Sequence, residues 1–151
     1  MAAEENANDK QSARTGLGKL LKTAHGHFNM ALRDRLAMHD ISFSQFQHLF
    51  ALWRADGINQ TEISGRIGIT TASSTHVLNT LEQMELIRRE RSDDDRRNVQ
   101  VYLTPAGHAL REALEGEAAI VNERAQRGLT LEEIMTLRAL LARVIANFRP
   151  L

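Results

Sequence analysis

The chain has 151 residues, and its 19 Lys and Arg balance 19 Asp and Glu, so the formal net charge is zero with histidine neutral. That length suits one domain, or a small module with added helices, and buries roughly 68–70% of the surface an unfolded chain exposes. No cysteine is present, which excludes disulfides, thiolate zinc sites, iron–sulfur clusters and thiol redox sensing together.

With 42% hydrophobic and 25% charged residues, the composition is that of an ordered, soluble chain. Residues 1–14 are polar and small, without periodicity, and read as a mobile tail. They lack the basic and apolar stretches of a signal peptide. The longest uncharged apolar-leaning run, Ile41 to Trp53, carries Ser, Gln and His and falls short of the roughly 18 apolar residues of a membrane span. The expected location is the cytoplasm, with no membrane partner. Neutrality also weighs mildly against nucleic-acid binding, since such proteins are often basic.

From Leu17 the apolar residues fall at helical spacing through Leu21, Phe28, Leu32 and Leu36, predicting one long helix that ends near His39 and Asp40. Ser42-Phe43-Ser44-Gln45 then forms a capping box, in which the Ser oxygen accepts from the amide three residues on and Gln reaches back. Asn59-Gln60-Thr61-Glu62 and Thr130-Leu131-Glu132-Glu133 repeat the pattern, each with flanking apolar residues placed as a hydrophobic staple. Each N-cap contributes about 1 kcal/mol. Thr104-Pro105 marks another start, because proline at the first helical position lacks only an N–H that would be unpaired anyway.

Between these starts, Asp56-Gly57 ends the second helix and Gly68 the third, and Thr70 caps a fourth. After Leu86-Ile87 the period changes to two: Val99, Val101 and Leu103 alternate with polar residues, predicting a half-buried strand. Leu86 to Ser92 is placed to pair with it across Asp93-Asp94-Asp95 as a hairpin. Helical spacing returns from Pro105 to about Arg127 with a stripe of Leu110, Leu114, Ala118, Val121 and Ala125, and Gly128 stops it. Leu131 to Phe148 forms a last helix, apolar on a broad face.

The predicted fold is therefore mainly α with a small β-hairpin wing: a winged helix-turn-helix flanked by long N- and C-terminal helices. The expected division is a tail at 1–14, an N-terminal dimerisation helix at 15–40, the winged unit at 41–104 and C-terminal dimerisation helices at 105–151. The flanking helices carry more apolar surface than the winged unit can cover, which predicts a two-fold homodimer.

The fourth helix carries Val77, Leu78, Leu81 and Met84 on one side, and Thr71, Ser73, Ser74, His76, Asn79, Thr80 and Gln83 form a polar side opposite the Val77, Leu81 and Met84 stripe. Short hydroxyls near a helix N-terminus suit phosphates and base edges in a major groove. Taken alone they equally suit a solvated face. Arg88, Arg89, Arg91, Arg96 and Arg97 place five cations within ten residues of the hairpin, against Glu90, Asp93, Asp94 and Asp95. The blander reading there is a solvated hairpin.

Asp95-Arg96-Arg97-Asn98-Val99-Gln100-Val101-Tyr102-Leu103-Thr104-Pro105-Ala106-Gly107 resembles the wing pattern D-R-R-x-x-x-V-x-L-T-x-x-G of the multiple-antibiotic-resistance regulator (MarR) family at every fixed position. The order and spacing of Leu81-Glu82, Leu86-Ile87 and the helix-turn-helix agree over about two-thirds of the chain. The resemblance implies a dimeric repressor that binds double-stranded DNA and is released by a small-molecule effector, often a phenolic or other aromatic acid. It implies Arg96 and Arg97 as minor-groove residues oriented by Asp95. It further implies a ligand pocket between dimerisation helices and winged unit, for which His25, Phe28, Asn29, Arg33, Phe43, Phe46 and Phe50 are candidates.

Two positions depart from the family pattern: His76 stands where Arg is frequent, and Glu85 where a glycine commonly precedes the Leu-Ile pair. His25 and His27 point to different helix faces and make no metal pair. The sequence has no nucleophile elbow, phosphate loop or His-Glu metal helix, so neither enzyme activity nor a cofactor is expected. The rival to DNA binding is a winged-helix module that binds protein instead.

Overall fold

The computed structural model describes residues 15–91 and 99–148. These form α1 (Leu17–Ala37), α2 (Phe43–Arg54), β1 (Ile58–Asn59), α3 (Gln60–Ile67), α4 (Thr71–Gln83), β2 (Ile87–Arg91), β3 (Val99–Leu103), α5 (Pro105–Ala125) and α6 (Leu131–Ala146). The expected tail at 1–14 and the wing residues Asp95, Arg96 and Arg97 lie outside the described residues.

The helix starts follow the capping chemistry. Ser42, Asn59 and Thr130 each accept from the amide three residues on, and Gln45, Glu62 and Glu133 return the bond to the cap amide. Thr104 caps α5 with Pro105 in its first turn. Helix ends are more varied. Gly68 closes α3 at φ 79°, in the left-handed region that glycine occupies without strain. Glu85 takes the same role after α4 at φ 58°. There the Leu86 amide donates to the Leu81 carbonyl at 3.0 Å and the Glu85 amide to the Glu82 carbonyl at 2.9 Å, a Schellman closure built without glycine.

The two expected strands pair antiparallel, Ile87 opposite Leu103 and Arg89 opposite Val101, a register that the sequence leaves open. The sheet has a third strand that the periodicity did not predict: β1 pairs Ile58 with Val101 and Asn59 with Gln100, giving the antiparallel order β1-β3-β2. Two residues are too few to show an alternation, and Asn59 is at once strand residue and helix cap.

The core centres on α2. Phe46, Leu49, Leu52 and Trp53 pack with Leu32 and Leu36 of α1, Ile63 of α3, Leu78 and Leu81 of α4, Val101 and Leu103 of β3, and Leu114 and Val121 of α5. Fully burying one such side chain stabilises by roughly 1.5–3 kcal/mol. Arg35 of α1 and His39 in the turn just beyond it both reach Glu117 of α5, the His39 Nε2 contact being 2.9 Å, and fasten these two helices together. Their hydrogen bonds, His39 first and Arg35 second, hold the Glu117 carboxyl below the usual carboxylate range. By contrast, α6 buries none of its residues.

The start of α5 is locked onto the end of α4. The Thr104 amide donates to the Leu86 carbonyl at 3.1 Å, and its hydroxyl donates to the Glu85 carbonyl at 2.6 Å. Gly107 lies against that same Leu86 carbonyl, where a β-carbon would overlap the oxygen, and the Trp53 indole donates to the Gly107 carbonyl at 3.1 Å. Gly107→Ala is expected to destabilise by about 1–3 kcal/mol, the usual cost of forcing volume into a packed site. Glu85→Gly should instead stabilise by about 1 kcal/mol, by relieving a left-handed residue that has a β-carbon. Urea midpoints shifting the same way in both variants would contradict this account.

Candidate nucleic-acid interface and cavity

Helix α4 exposes Thr71, Ser73, Thr75, His76 and Asn79 and buries Ser74, Leu78 and Leu81. Of the expected apolar side Leu78 and Leu81 face inward, whereas Val77 is half-buried and Met84 exposed. Ser74, expected on the polar side, is a correction. It is 0% exposed, and its hydroxyl contacts the ring of His48 at 2.9 Å. The polar side gains Thr75, whose place one turn beyond Thr71 puts both on one face by the i, i+4 rule. Thr80 is half-buried.

The N-terminus of α4 is set by side-chain bonds. The Thr70 hydroxyl accepts from the Ser73 amide at 3.2 Å. Gln60, in the first turn of α3, donates through Nε2 to the Thr71 carbonyl at 2.8 Å and to the Thr75 hydroxyl at 2.6 Å. These bonds fix the approach of α3 to α4. They leave the hydroxyls of Thr71 and Ser73 at a helix end whose free amides and dipole favour anions.

On the wing, pairing decides which arginines are committed. Arg89 lies opposite Val101 on the core-facing side and meets Glu82 of α4 at 2.6 Å, with its side chain 23% exposed. Arg88, on the other face, stacks over the ring of Tyr102 opposite it at 4.9 Å and pairs with Glu90. Arg91 is exposed at the end of β2.

His48 is the buried titratable group beneath this interface. Its Nδ1 lies 2.7 Å from the Ser44 carbonyl, which can only accept, so Nδ1 carries the proton and Nε2 accepts from the Ser74 hydroxyl. Burial pushes its pKa below the ordinary 6.5, and the Ser44 bond opposes that shift.

A cavity of about 510 Å³ opens between α1, α2 and α3. Six of the seven expected ligand residues line it: His25, Phe28, Asn29, Phe43, Phe46 and Phe50. Arg33 does not, and is corrected: its guanidinium stacks over Phe43 at 5.7 Å without reaching the lining. The cations at the wall are Arg54, which stacks over Phe50 at 5.2 Å, and Arg66 of α3, with Gln47 between the aromatic rings' positions on α2. Arg54 continues the stripe of Phe43, Phe46, Gln47, Phe50 and Ala51 along α2, a helical period readable in the sequence. Arg66 arrives through tertiary packing, which leaves no local signal. The Asn29 amide lies 2.9 Å from His25 Nε2 at the same wall.

Among the described residues no group of three or more His, Asp or Glu is placed to hold a metal ion, and no helix is long and apolar enough to cross a membrane.

A short capped helix, a turn at Gly68, a second capped helix and a β wing place the chain in the winged-helix class. Residues 41–99 match the MarR family model, and the chain belongs to that family of DNA-binding transcriptional regulators, which are not enzymes. The HTH-type transcriptional regulator TtmR of Methylorubrum extorquens (strain PA1) is 30% identical over 131 residues, an alignment taking in 87% of this chain and 66% of that relative's length. A MarR mutant from E. coli complexed with operator DNA superposes with a TM-score of 0.78 at 26% identity, covering 85% of this chain and 92% of the other. Bordetella bronchiseptica BpsR, whose structure concerns regulation of DNA binding by 6-hydroxynicotinic acid, gives 0.78 at 25% identity, covering 85% and 97%.

The depressed pKa of His48 has a signed consequence. Above pH 6.5 neither the folded nor the unfolded chain protonates this ring, and its full contribution to stability is present. As pH falls below 6.5 the unfolded chain takes up a proton that the folded one resists, and stability drops. The unfolding free energy of the wild type minus that of His48→Gln should therefore decline from pH 7 to 5.5; a constant difference would contradict it.

Proposed function

We propose that the chain is a homodimeric repressor that works in the cytoplasm, holds a pseudo-palindromic operator, and is released from it by a small aromatic acid. The observation that carries the DNA reading is α4, which turns Thr71, Ser73, His76 and Asn79 to solvent behind a capped N-terminus while Leu78 and Leu81 anchor it. In this reading α4 enters the major groove. Arg88, Arg91, Arg96 and Arg97 serve the backbone and minor groove, with Asp95 orienting the arginines. Arg89, held by Glu82, sets the attitude of the wing.

The effector reading rests on the cavity: four phenylalanines supply an apolar seat, and Arg54, Arg66 and His25 supply charge or hydrogen bonds for a carboxylate. BpsR, regulated by 6-hydroxynicotinic acid, supports that ligand class. Occupancy of a dimer form whose two α4 helices stand off groove spacing would shift the population away from DNA.

The test is selection of duplexes from a random pool, followed by titration with and without 6-hydroxynicotinic acid as the probe. Ser73→Ala and His76→Ala should each weaken the selected duplex by roughly 1–3 kcal/mol and random DNA by less. Equal losses on both would remove these side chains from base reading. No salt-dependent binding of any duplex would favour a protein partner instead.

The dimer reading rests on α6, where Leu131, Met135, Leu137, Leu140 and Ile145 are all exposed, Leu131 to 74%. The division into a winged unit at 41–104 and dimerisation helices at 15–40 and 105–151 follows from it. A second copy of α1, α5 and α6 covers this surface, and two α4 helices then meet half-sites about one DNA turn apart. Sedimentation should give twice the chain mass of 17.0 kDa, and Leu140→Glu should shift it toward the monomer; a monomeric wild type at micromolar concentration would end the dimer reading.

A further inference from the structure

We infer that the buried hydrogen bond between His48 and Ser74 is a positioning contact that sets the attitude of α4 on DNA, with His48 acting through Ser74 and touching no base. Both side chains are 0% exposed, and they join residues 26 apart in sequence across the α2–α4 interface at 2.9 Å. The remaining buried polar side chain among the described residues, Ser64, bonds the Gln60 carbonyl within its own helix. Among the described residues His48–Ser74 is therefore the buried hydrogen bond that joins two side chains across helices of the core, whereas the Trp53 indole reaches a backbone carbonyl.

Apolar packing tolerates small slides and rotations, because its attraction has little direction. A hydrogen bond does not: a carbonyl of Ser44 fixes the ring from below, and the ring accepts from a hydroxyl in one direction only. Ser74 stands one residue from Ser73 and two from His76, within the turn that faces solvent at the N-terminal end of α4. Rotation of α4 about its axis would break the bond and leave a buried acceptor unpaired, which costs more than the bond gains when made. A bond at this position specifies rotation, the variable on which base contacts by Ser73 and His76 depend. Gln60, through the Thr71 carbonyl and the Thr75 hydroxyl, fixes the outer side of the same helix, so α4 is held from two directions.

The inference rests on the reading of α4 as the DNA-contacting helix, and the variants separate the two. The duplex selected by the wild-type protein and a random duplex of equal length are titrated with wild type, Ser74→Ala and the double variant His48→Leu/Ser74→Ala, each also melted thermally. Ser74→Ala should bind the selected duplex about tenfold more weakly and random DNA within twofold of wild type. The double variant replaces both polar partners by apolar groups, so it should regain melting temperature without regaining selected-duplex affinity. Wild-type affinity in both variants overturns the inference, as does a double variant that recovers affinity together with stability, since the bond would then act through stability alone. If the wild type selects no duplex at all, the DNA reading of α4 fails and this inference falls with it. If Ser73→Ala and His76→Ala lose discrimination while Ser74→Ala keeps it, the DNA reading stands and this inference alone fails.

Discussion

The Leu86 carbonyl is the point on which the arrangement of helices depends. It accepts the Thr104 amide and lies flat against Gly107, so the end of α4, the edge of the wing and the start of α5 meet at one backbone group. The Glu85 carbonyl, held by the Thr104 hydroxyl, and the Trp53 indole, donating to Gly107, complete the junction. Each of these bonds is to backbone, and backbone cannot rotate away as a surface side chain can. The direction of α5 relative to α4 is therefore fixed locally, over a few residues. A displacement of α5 would thus be passed to α4 and the wing as a rigid-body motion instead of being absorbed in a loop.

That junction also explains why the L-T-P-A-G segment reads as it does. Thr104 spends its hydroxyl on two partners, as acceptor for the Gly107 amide and donor to Glu85. Pro105 starts a helix where no amide is required. Glycine at 107 is demanded by proximity and not by a left-handed backbone. Glu85 shows the opposite case: a position with positive φ is filled by a residue with a β-carbon, and the Schellman bonds and the Thr104 hydroxyl hold it there.

Helix starts and the hairpin strands were legible because they rest on short-range chemistry: a hydroxyl or amide oxygen three residues from its partner, or a period of two. The cavity was partly legible, since the aromatic stripe of α2 and the Phe28 turn of α1 are periodic. What the sequence could not carry were features made by packing. The stripe of α4 contains a serine, so a reading that follows apolar residues alone places Ser74 on the wrong side. Only the approach of His48 supplies the partner that makes its burial tolerable. Strand β1 was hidden by its length, and Arg66 by its arrival from a different helix. Arg33 was drawn to the pocket by its helix and turned away from it by the face of Phe43.

Net neutrality takes on a different meaning once the pairs are placed. Arg88 and Arg89 are engaged by Glu90 and Glu82, and Tyr102 adds its ring to Arg88, so these cations act first as parts of the wing. Surface ion pairs of this kind are weak individually, about 0–1 kcal/mol, and can be exchanged for a phosphate at little cost. On the proposed reading, Arg88 and Arg89 must first leave these partners to meet phosphates, which limits their share of sequence-independent affinity and its salt dependence. If α4 reads DNA as proposed, discrimination then comes from geometry, from how accurately a rigid α4 presents a few hydroxyls, an imidazole and an amide to base edges. On that reading the buried polar bond beneath α4 and the backbone lock at its end serve the same requirement: where charge does not supply affinity, orientation has to.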